Sequence, residues 1–168
     1  MAEKNKDNII IRDFKLEDSI FLEDMFKSDL ERFFSYLTKD QKKLFIEVNS
    51  AKRFIELSQR PTDLVKIIEK DKKIIGYFHF GKNKEKADSL KIQRIHITTP
   101  QQGIFKNYVW PTIMQYAKLW NCKEIVVYIT YHLKPIIHKL FPGFKFYGPI
   151  VKYRRGVNML FYKYVKGI

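Results

Sequence analysis

Four histidines, one glycine turn and one basic tract are the parts of this chain best suited to chemistry. His79, His96, His132 and His138 are its imidazoles. An imidazole titrates near neutral pH and can accept a proton from a bound molecule, directly or through water. His96, on a strand-like run, is the first candidate for that role; against it, the alternation along Ile92, Arg94, His96 and Thr98 is what a half-solvated strand face looks like. His79, on the preceding run, is placed to line the same face, although a structural or surface role is the simpler reading of it. His132 and His138 stand six residues apart, which is not the i, i+4 spacing of a helical metal pair, so no metal is implied.

The turn Pro100-Gln101-Gln102-Gly103-Ile104-Phe105-Lys106 lies between a strand-like run and a helix-like run. Free N–H groups at a helix start, set at the end of a strand, commonly hold phosphates, so a phosphate-bearing cofactor is expected there. Lys106 would add a point charge. The tract Lys152, Tyr153, Arg154 and Arg155, with Lys145, Tyr147, Lys163 and Tyr164 nearby, joins cations to aromatic rings. Such a surface can contact nucleic-acid phosphates and stack on bases; alternatively it is an edge strand whose charges discourage aggregation.

The elements that must position these residues follow from periodicity. Asn8 to Asp13 carries three consecutive isoleucines and predicts a strand. Leu16 to Phe26 has apolar residues at helical spacing, and Leu30 to Leu37 continues that face. Lys39 to Ser58 predicts one further helix capped by Thr38. Leu64 to Lys70 and Ile74 to Phe80 predict a hairpin across Asp71-Lys72-Lys73, with Gly76 allowing a bend or a close approach. A polar loop from Gly81 to Ser89 precedes a strand from Leu90 to Thr98. A long amphipathic helix follows from about Ile104 to Trp120, interrupted by Pro111. Glu124 to Thr130 then predicts a strand, His132 to Leu140 a helix, and Phe144 to Lys152 with Asn158 to Val165 a last strand pair.

Composition narrows the classes. The 168 residues, 45% hydrophobic and 15% aromatic, suit one substantial core and a single domain over 1–168. Cys122 is the only cysteine, so no disulfide closes within the chain and a reducing, cytoplasmic home is expected. No apolar run is long enough for a membrane span, no membrane partner is expected, and the first residues lack the apolar stretch of a signal peptide. The net charge of +14 is uneven: residues 1–100 hold 21 Lys/Arg against 17 Asp/Glu, and residues 101–168 hold 11 against the single acid Glu124. That surplus favours anionic partners, including a nucleotide cofactor or nucleic acid.

This order of elements resembles the Gcn5-related N-acetyltransferase (GNAT) superfamily over nearly the whole chain. Members carry a Gln/Arg-x-x-Gly-x-Gly/Ala turn before their long helix. Here Gly103 supplies the central glycine, Pro100 falls at the first position and Phe105 at the last. Pro142-Gly143-Phe144 is similar to the Gly-Phe that opens a later strand in the family. The resemblance implies an α/β (α+β) fold, with a mixed, mostly antiparallel central sheet flanked by helices on both faces. It implies an acyl-CoA-dependent N-acyltransferase that uses acetyl-CoA or another acyl-CoA on a small-molecule or macromolecular amine. It places Gln102, Gly103, Ile104, Phe105 and Lys106 at the pyrophosphate, and the backbone N–H groups near Ile97 and Thr98 at the thioester carbonyl. His132 falls near the family's usual Asn, and His138 or Lys139 near its usual general-acid Tyr. The basic last third keeps open a GNAT-fold protein that modifies or binds nucleic acid. Phe105 and the absent tyrosine keep open a binding protein that has lost coenzyme A.

Overall fold

The computed structural model describes residues 8–98, 103–129, 141–154 and 157–168. Its elements run β1 (Ile9–Asp13), α1 (Asp18–Phe33), α2 (Lys39–Val48), α3 (Ala51–Ser58), β2 (Asp63–Lys70), β3 (Lys73–Lys82) and β4 (Ser89–Ile97). A widened π turn (Phe105–Val109) then leads into α4 (Trp110–Leu119), followed by β5 (Glu124–Ile129), β6 (Lys145–Arg154) and β7 (Val157–Gly167). The strands form one sheet in the order β1-β2-β3-β4-β5-β7-β6. Among the described residues only β4 and β5 are parallel neighbours; the other pairings are antiparallel.

Helices cover both faces of the sheet, and the alternation of strand side chains decides which residues each face receives. On one face Leu22 and Met25 of α1 and Phe54 and Leu57 of α3 bury Val65, Ile67 and Tyr77. On the other, Ile113 and Ala117 of α4 bury Phe78, Phe80, Leu90, Ile92, Ile125, Val127 and Ile129. A third cluster packs Phe26 and Leu30 of α1 and Leu44 of α2 on Met159 of β7. No described helix is long and apolar enough to cross a membrane.

Local chemistry explains the boundaries. The Asp18 carboxylate, in the first turn of α1, accepts the Lys15 N–H at 2.7 Å and both terminal nitrogens of Arg12 at 2.8 Å, while Arg12 Nε reaches Glu69 at 2.6 Å. One guanidinium thus joins β1, β2 and α1. Thr38 caps α2 in a reciprocal box with Gln41. The single helix expected over 39–58 is two helices. Asn49 turns its side chain back to the Phe45 carbonyl, and Ser50 accepts the Arg53 N–H as a fresh cap, so two residues that compete with helical hydrogen bonding break the run. The expected β2/β3 hairpin closes through Asp71 and Lys72, both at positive φ, as its two-residue turn requires. Gly76 makes the close approach: a Cβ there would lie 2.3 Å from the His96 carbonyl oxygen. Pro111 stands at the start of α4, directly after the widened turn in which the Trp110 N–H reaches back to the Phe105 carbonyl. The helix expected over 132–140 lies outside the described residues.

Candidate functional site

The parallel β4/β5 pair is short. Its register runs from Ser89/Glu124 to Ile92/Val127 and stops there. Beyond it β4 continues to Ile97 paired only with β3, and β5 continues to Ile129 paired only with β7. The two strands therefore part and leave a gap in the middle of the sheet. A bulge opens it: His79 faces Arg94 and Phe80 faces Ile92, so Gln93 has no opposite residue on β3.

Buried polar groups hold that bulge. Asp63 Oδ1, at the start of β2, accepts both Gln93 Nε2 and His79 Nε2 at 2.9 Å. Arg94 Nη2 donates to the Val48 carbonyl at 2.6 Å, and its Nη1 stands 3.5 Å from His79 Nδ1. This arrangement assigns the His79 proton to Nε2 and leaves Nδ1 as the acceptor. Burial pushes the His79 imidazole down to about 4; the Asp63 bond opposes that shift and the Arg94 charge adds to it. Burial draws the Asp63 carboxyl upward, but the His79 bond and the charges of Arg60 and Lys84 outweigh it and hold Asp63 below its ordinary value. His79 is thus fully buried within a network. Asp63, Gln93 and Arg94 were not distinguishable as its partners from sequence; an acid opening an apolar strand and a polar pair interrupting β4 are the signals that point to them.

Of the two backbone groups expected at a thioester carbonyl, only one is open. The Thr98 N–H donates to the Ile75 carbonyl at 2.9 Å, and the Thr98 hydroxyl donates to the same oxygen at 3.0 Å. The Thr98 amide is therefore engaged by β3. The same bond makes Gly76/Ile97 a non-hydrogen-bonded pair, so the Ile97 N–H points away from β3, toward the gap.

His96 lies on the α1–α3 face, stacked on Tyr77 with ring centroids 5.5 Å apart. Its Nε2 is 2.8 Å from Asp29 Oδ2 of α1, at an angle that leaves the hydrogen bond unformed. Burial lowers its pKa, and the Asp29 charge works in the opposite direction. A neutral ring beside a carboxylate suits a proton acceptor, since the cation formed on protonation has a partner waiting.

At the helix start, Gly103 adopts φ +103°, and its carbonyl accepts the Asn107 N–H at 2.7 Å. The Ile104 side chain is 2% exposed and belongs to the core, so only its backbone can meet a ligand. Phe105, at the position where the family turn has a small residue, packs edge-on against Phe141 at 5.0 Å and near Trp110 at 6.2 Å. Phe144 joins both rings, at 5.3 and 5.8 Å, and Lys166 Nζ donates to the Pro142 carbonyl while lying 5.1 Å from the Trp110 ring. The Gly103 turn and the Pro142-Gly143-Phe144 segment are thus two sides of one aromatic cluster. Lys106 is exposed at this helix start. Pro100, Gln102, His132, His138 and Lys139 lie outside the described residues.

The basic tract is less open than its sequence suggests. Lys152 places its ammonium 3.6 Å from the centre of the Tyr128 ring. Arg155 and the side chains of Tyr153 and Arg154 fall outside the description. Cys122 is buried, and burial raises its thiol pKa, which keeps it an unreactive core residue.

This fold has known counterparts among solved structures. One from Rhodopseudomonas palustris, described as a GCN5-related N-acetyltransferase, superposes with a TM-score of 0.73 at 13% identity, covering 95% of both chains. The chain has the GNAT fold. A PaiA N-acetyltransferase from Thermoplasma acidophilum, solved in complex with coenzyme A, superposes at 0.70 with 15% identity over 96% of this chain and 99% of that one. A spermidine N-acetyltransferase chimera from Vibrio cholerae is similar, with a TM-score of 0.64 at 17% identity and 95% of each chain covered. By sequence, no family model and no curated protein matches. Within the GNAT fold, the parted β4/β5 strands and the Gly103 helix start occupy adjoining positions at the carboxy-terminal end of β4, where open sheets place their ligands.

Proposed function

We propose that the protein is an acyl-CoA-dependent N-acyltransferase that moves an acetyl group from acetyl-CoA to an amine. The observation that carries this reading is the parting of β4 from β5 beyond Ile92/Val127, with the Ile97 N–H directed into the gap. An amide left free at that point fits a carbonyl oxygen that gains charge during acyl transfer. A neighbour of the same fold solved with coenzyme A supports the choice of donor.

Acetyl-CoA would supply a thioester whose carbonyl carbon takes the amine lone pair, the C–N bond forming as the C–S bond breaks and the sulfur takes a proton. Ile97 polarises the carbonyl through its N–H. His96 takes the amine proton at its imidazole, and Asp29 balances the charge this creates. Gly103, Ile104, Phe105 and Lys106 offer helix-start N–H groups to the pyrophosphate, with Gln102 beside them and the Lys106 ammonium as a counter-charge. Inward packing of Phe105 keeps its bulk away from those amides. His132 is assigned to the cofactor edge and His138 to protonation of the departing sulfur.

A thermal-shift series with acetyl-CoA and coenzyme A tests the reading. Cofactor at 100 times its dissociation constant should add about 2.7 kcal/mol of stability. An unchanged melting temperature at millimolar cofactor would overturn the proposal.

A further inference from the structure

We propose that two copies of this chain join edge to edge through β1, residues 9–11 of each pairing antiparallel across a two-fold axis so that the two sheets continue as one. This interface stands independently of the acyl-transfer reading and goes beyond it.

Among the described residues the sheet ends on β1 and on β6. The Phe14 N–H donates to the Val65 carbonyl at 3.2 Å and the Asp71 N–H to the Asn8 carbonyl at 3.1 Å, which makes Ile10/Glu69 and Arg12/Ile67 the hydrogen-bonded pairs of the β1/β2 register. The N–H and C=O groups of Ile9 and Ile11 therefore point away from β2, and among the described residues no hydrogen bond reaches them. Their side chains pack on the core beside α4, whereas Ile10 turns to the α1 face and is 46% exposed. The two edges differ in kind. β6 carries features that discourage strand pairing: Pro149, which has no N–H, the cations Lys145 and Lys152, and a register shift between Phe146 and Gly148. β1 keeps an unbroken register through three consecutive isoleucines.

The helix above this edge is apolar on its outside as well. α1 begins at β1, where Asp18 takes the Arg12 guanidinium, and reaches His96 of β4 through Asp29. Glu23, on one flank of α1, accepts the Ala51 N–H of α3. Phe21 is two residues earlier, about 200° of helical turn away, and so lies on the flank that α3 leaves open. Leu16, just ahead of the helix, and Ile20, in its first turn, are more exposed than Phe21. Charge selects the partner. Lys66 engages Asp13, and the exposed ions around the apolar residues are Lys15, Glu17, Asp24 and Lys27, two of each sign. In a chain of net charge +14 most of the surface repels a second copy, whereas balanced signs can pair with themselves across a two-fold, as an isologous interface requires. A register centred on Ile10 sets Ile9 opposite Ile11 of the second copy, so that their outward N–H and C=O groups bond. It also packs Ile10 on its own counterpart at the closer spacing of a non-hydrogen-bonded pair, roughly 4.5 Å between Cα atoms.

Sedimentation equilibrium on the full chain, from micromolar to millimolar concentration, should show the mass rise from 20.2 kDa toward twice that value. Ile10→Lys brings two like charges together on the two-fold and should raise the dimer Kd at least tenfold, as should Ile20→Lys beside it. Ile11→Pro removes an N–H that β2 does not use and should act in the same direction. Leu160→Lys, an exposed position on β7 near the opposite edge, should leave the dimer Kd unchanged. Equal melting temperatures at concentrations where every variant is monomeric show that the variants fold; should Ile11→Pro melt early, the two lysine variants at exposed positions decide. A monomeric mass at every concentration overturns the inference, whatever else fills the edge. A dimer that both lysine variants leave intact, or one broken by Leu160→Lys, overturns it too. So does growth beyond two copies, because a two-fold seam closes.

Discussion

Acidification from pH 7 to pH 4 should cost this protein about 3 kcal/mol through His79 alone. The ring is fully buried, and its pKa falls from an ordinary 6.5 to about 4. That gap is about 2.5 pH units, each worth roughly 1.4 kcal/mol. In the folded protein the imidazole stays neutral above pH 4, whereas in the unfolded chain it takes a proton below 6.5. Between those values the unfolded state binds more protons, so stability falls as pH falls through the window. Below about 4 both states are protonated and His79 contributes nothing further. His96, whose pKa burial also lowers, acts with the same sign. Asp63 and Asp18 have pKa values held below 3.8, so the stability they provide is lost only at lower pH. The window from 6.5 to 4 therefore belongs to the histidines. Against a typical total of about 5–15 kcal/mol, a loss of this size is easily measured. Urea denaturation of the wild type and of His79→Gln at several pH values across the window is the assay. The variant starts less stable at pH 7, because Asp63 loses an aligned donor, but it should lose about 3 kcal/mol less on going to pH 4. Parallel stability curves for the two proteins would refute the burial argument.

Two further substitutions probe how the site is held. Gly76→Ala should destabilise by about 1–3 kcal/mol, since the new methyl must displace the His96 carbonyl from 2.3 Å. It should also weaken acetyl transfer by moving His96 and Ile97, whereas Gly167→Ala, with open space around it, serves as the neutral control; equal melting temperatures for the two would contradict the clash. Phe105→Ala should cost on the order of 2 kcal/mol, less than a fully buried phenylalanine because the ring is half-buried. Coenzyme A affinity should fall with it, because the Gly103 turn loses its anchor on Phe141; unchanged calorimetric stability and affinity would show that the ring anchors nothing.

Much of the fold was legible in the sequence because its signals are local. The isoleucine run of β1, the helical spacing of α1, the Thr38 cap, the hairpin turn at Asp71-Lys72-Lys73 and the glycine at 103 each act within a few residues, where dihedral preferences and near-neighbour hydrogen bonds decide the outcome. Even the break at Asn49-Ser50, which the apolar spacing of residues 39–58 concealed, has a local cause in two side chains that bond to nearby backbone.

The sequence by itself determined the order of elements, the glycine turn before the long helix, and a carboxy-terminal third rich in positive charge. Only the tertiary structure decided what is open for chemistry. Asp63 holds the Gln93 bulge from thirty residues away along the chain, Ile75 takes the Thr98 amide and leaves that of Ile97, Phe105 turns in to Phe141, and Lys152 lies on Tyr128. The physical reason is register. A strand's periodicity tells which side chains share a face, but which backbone group is spent and which is free depends on the partner strand, and that pairing is set by contacts the local pattern does not encode.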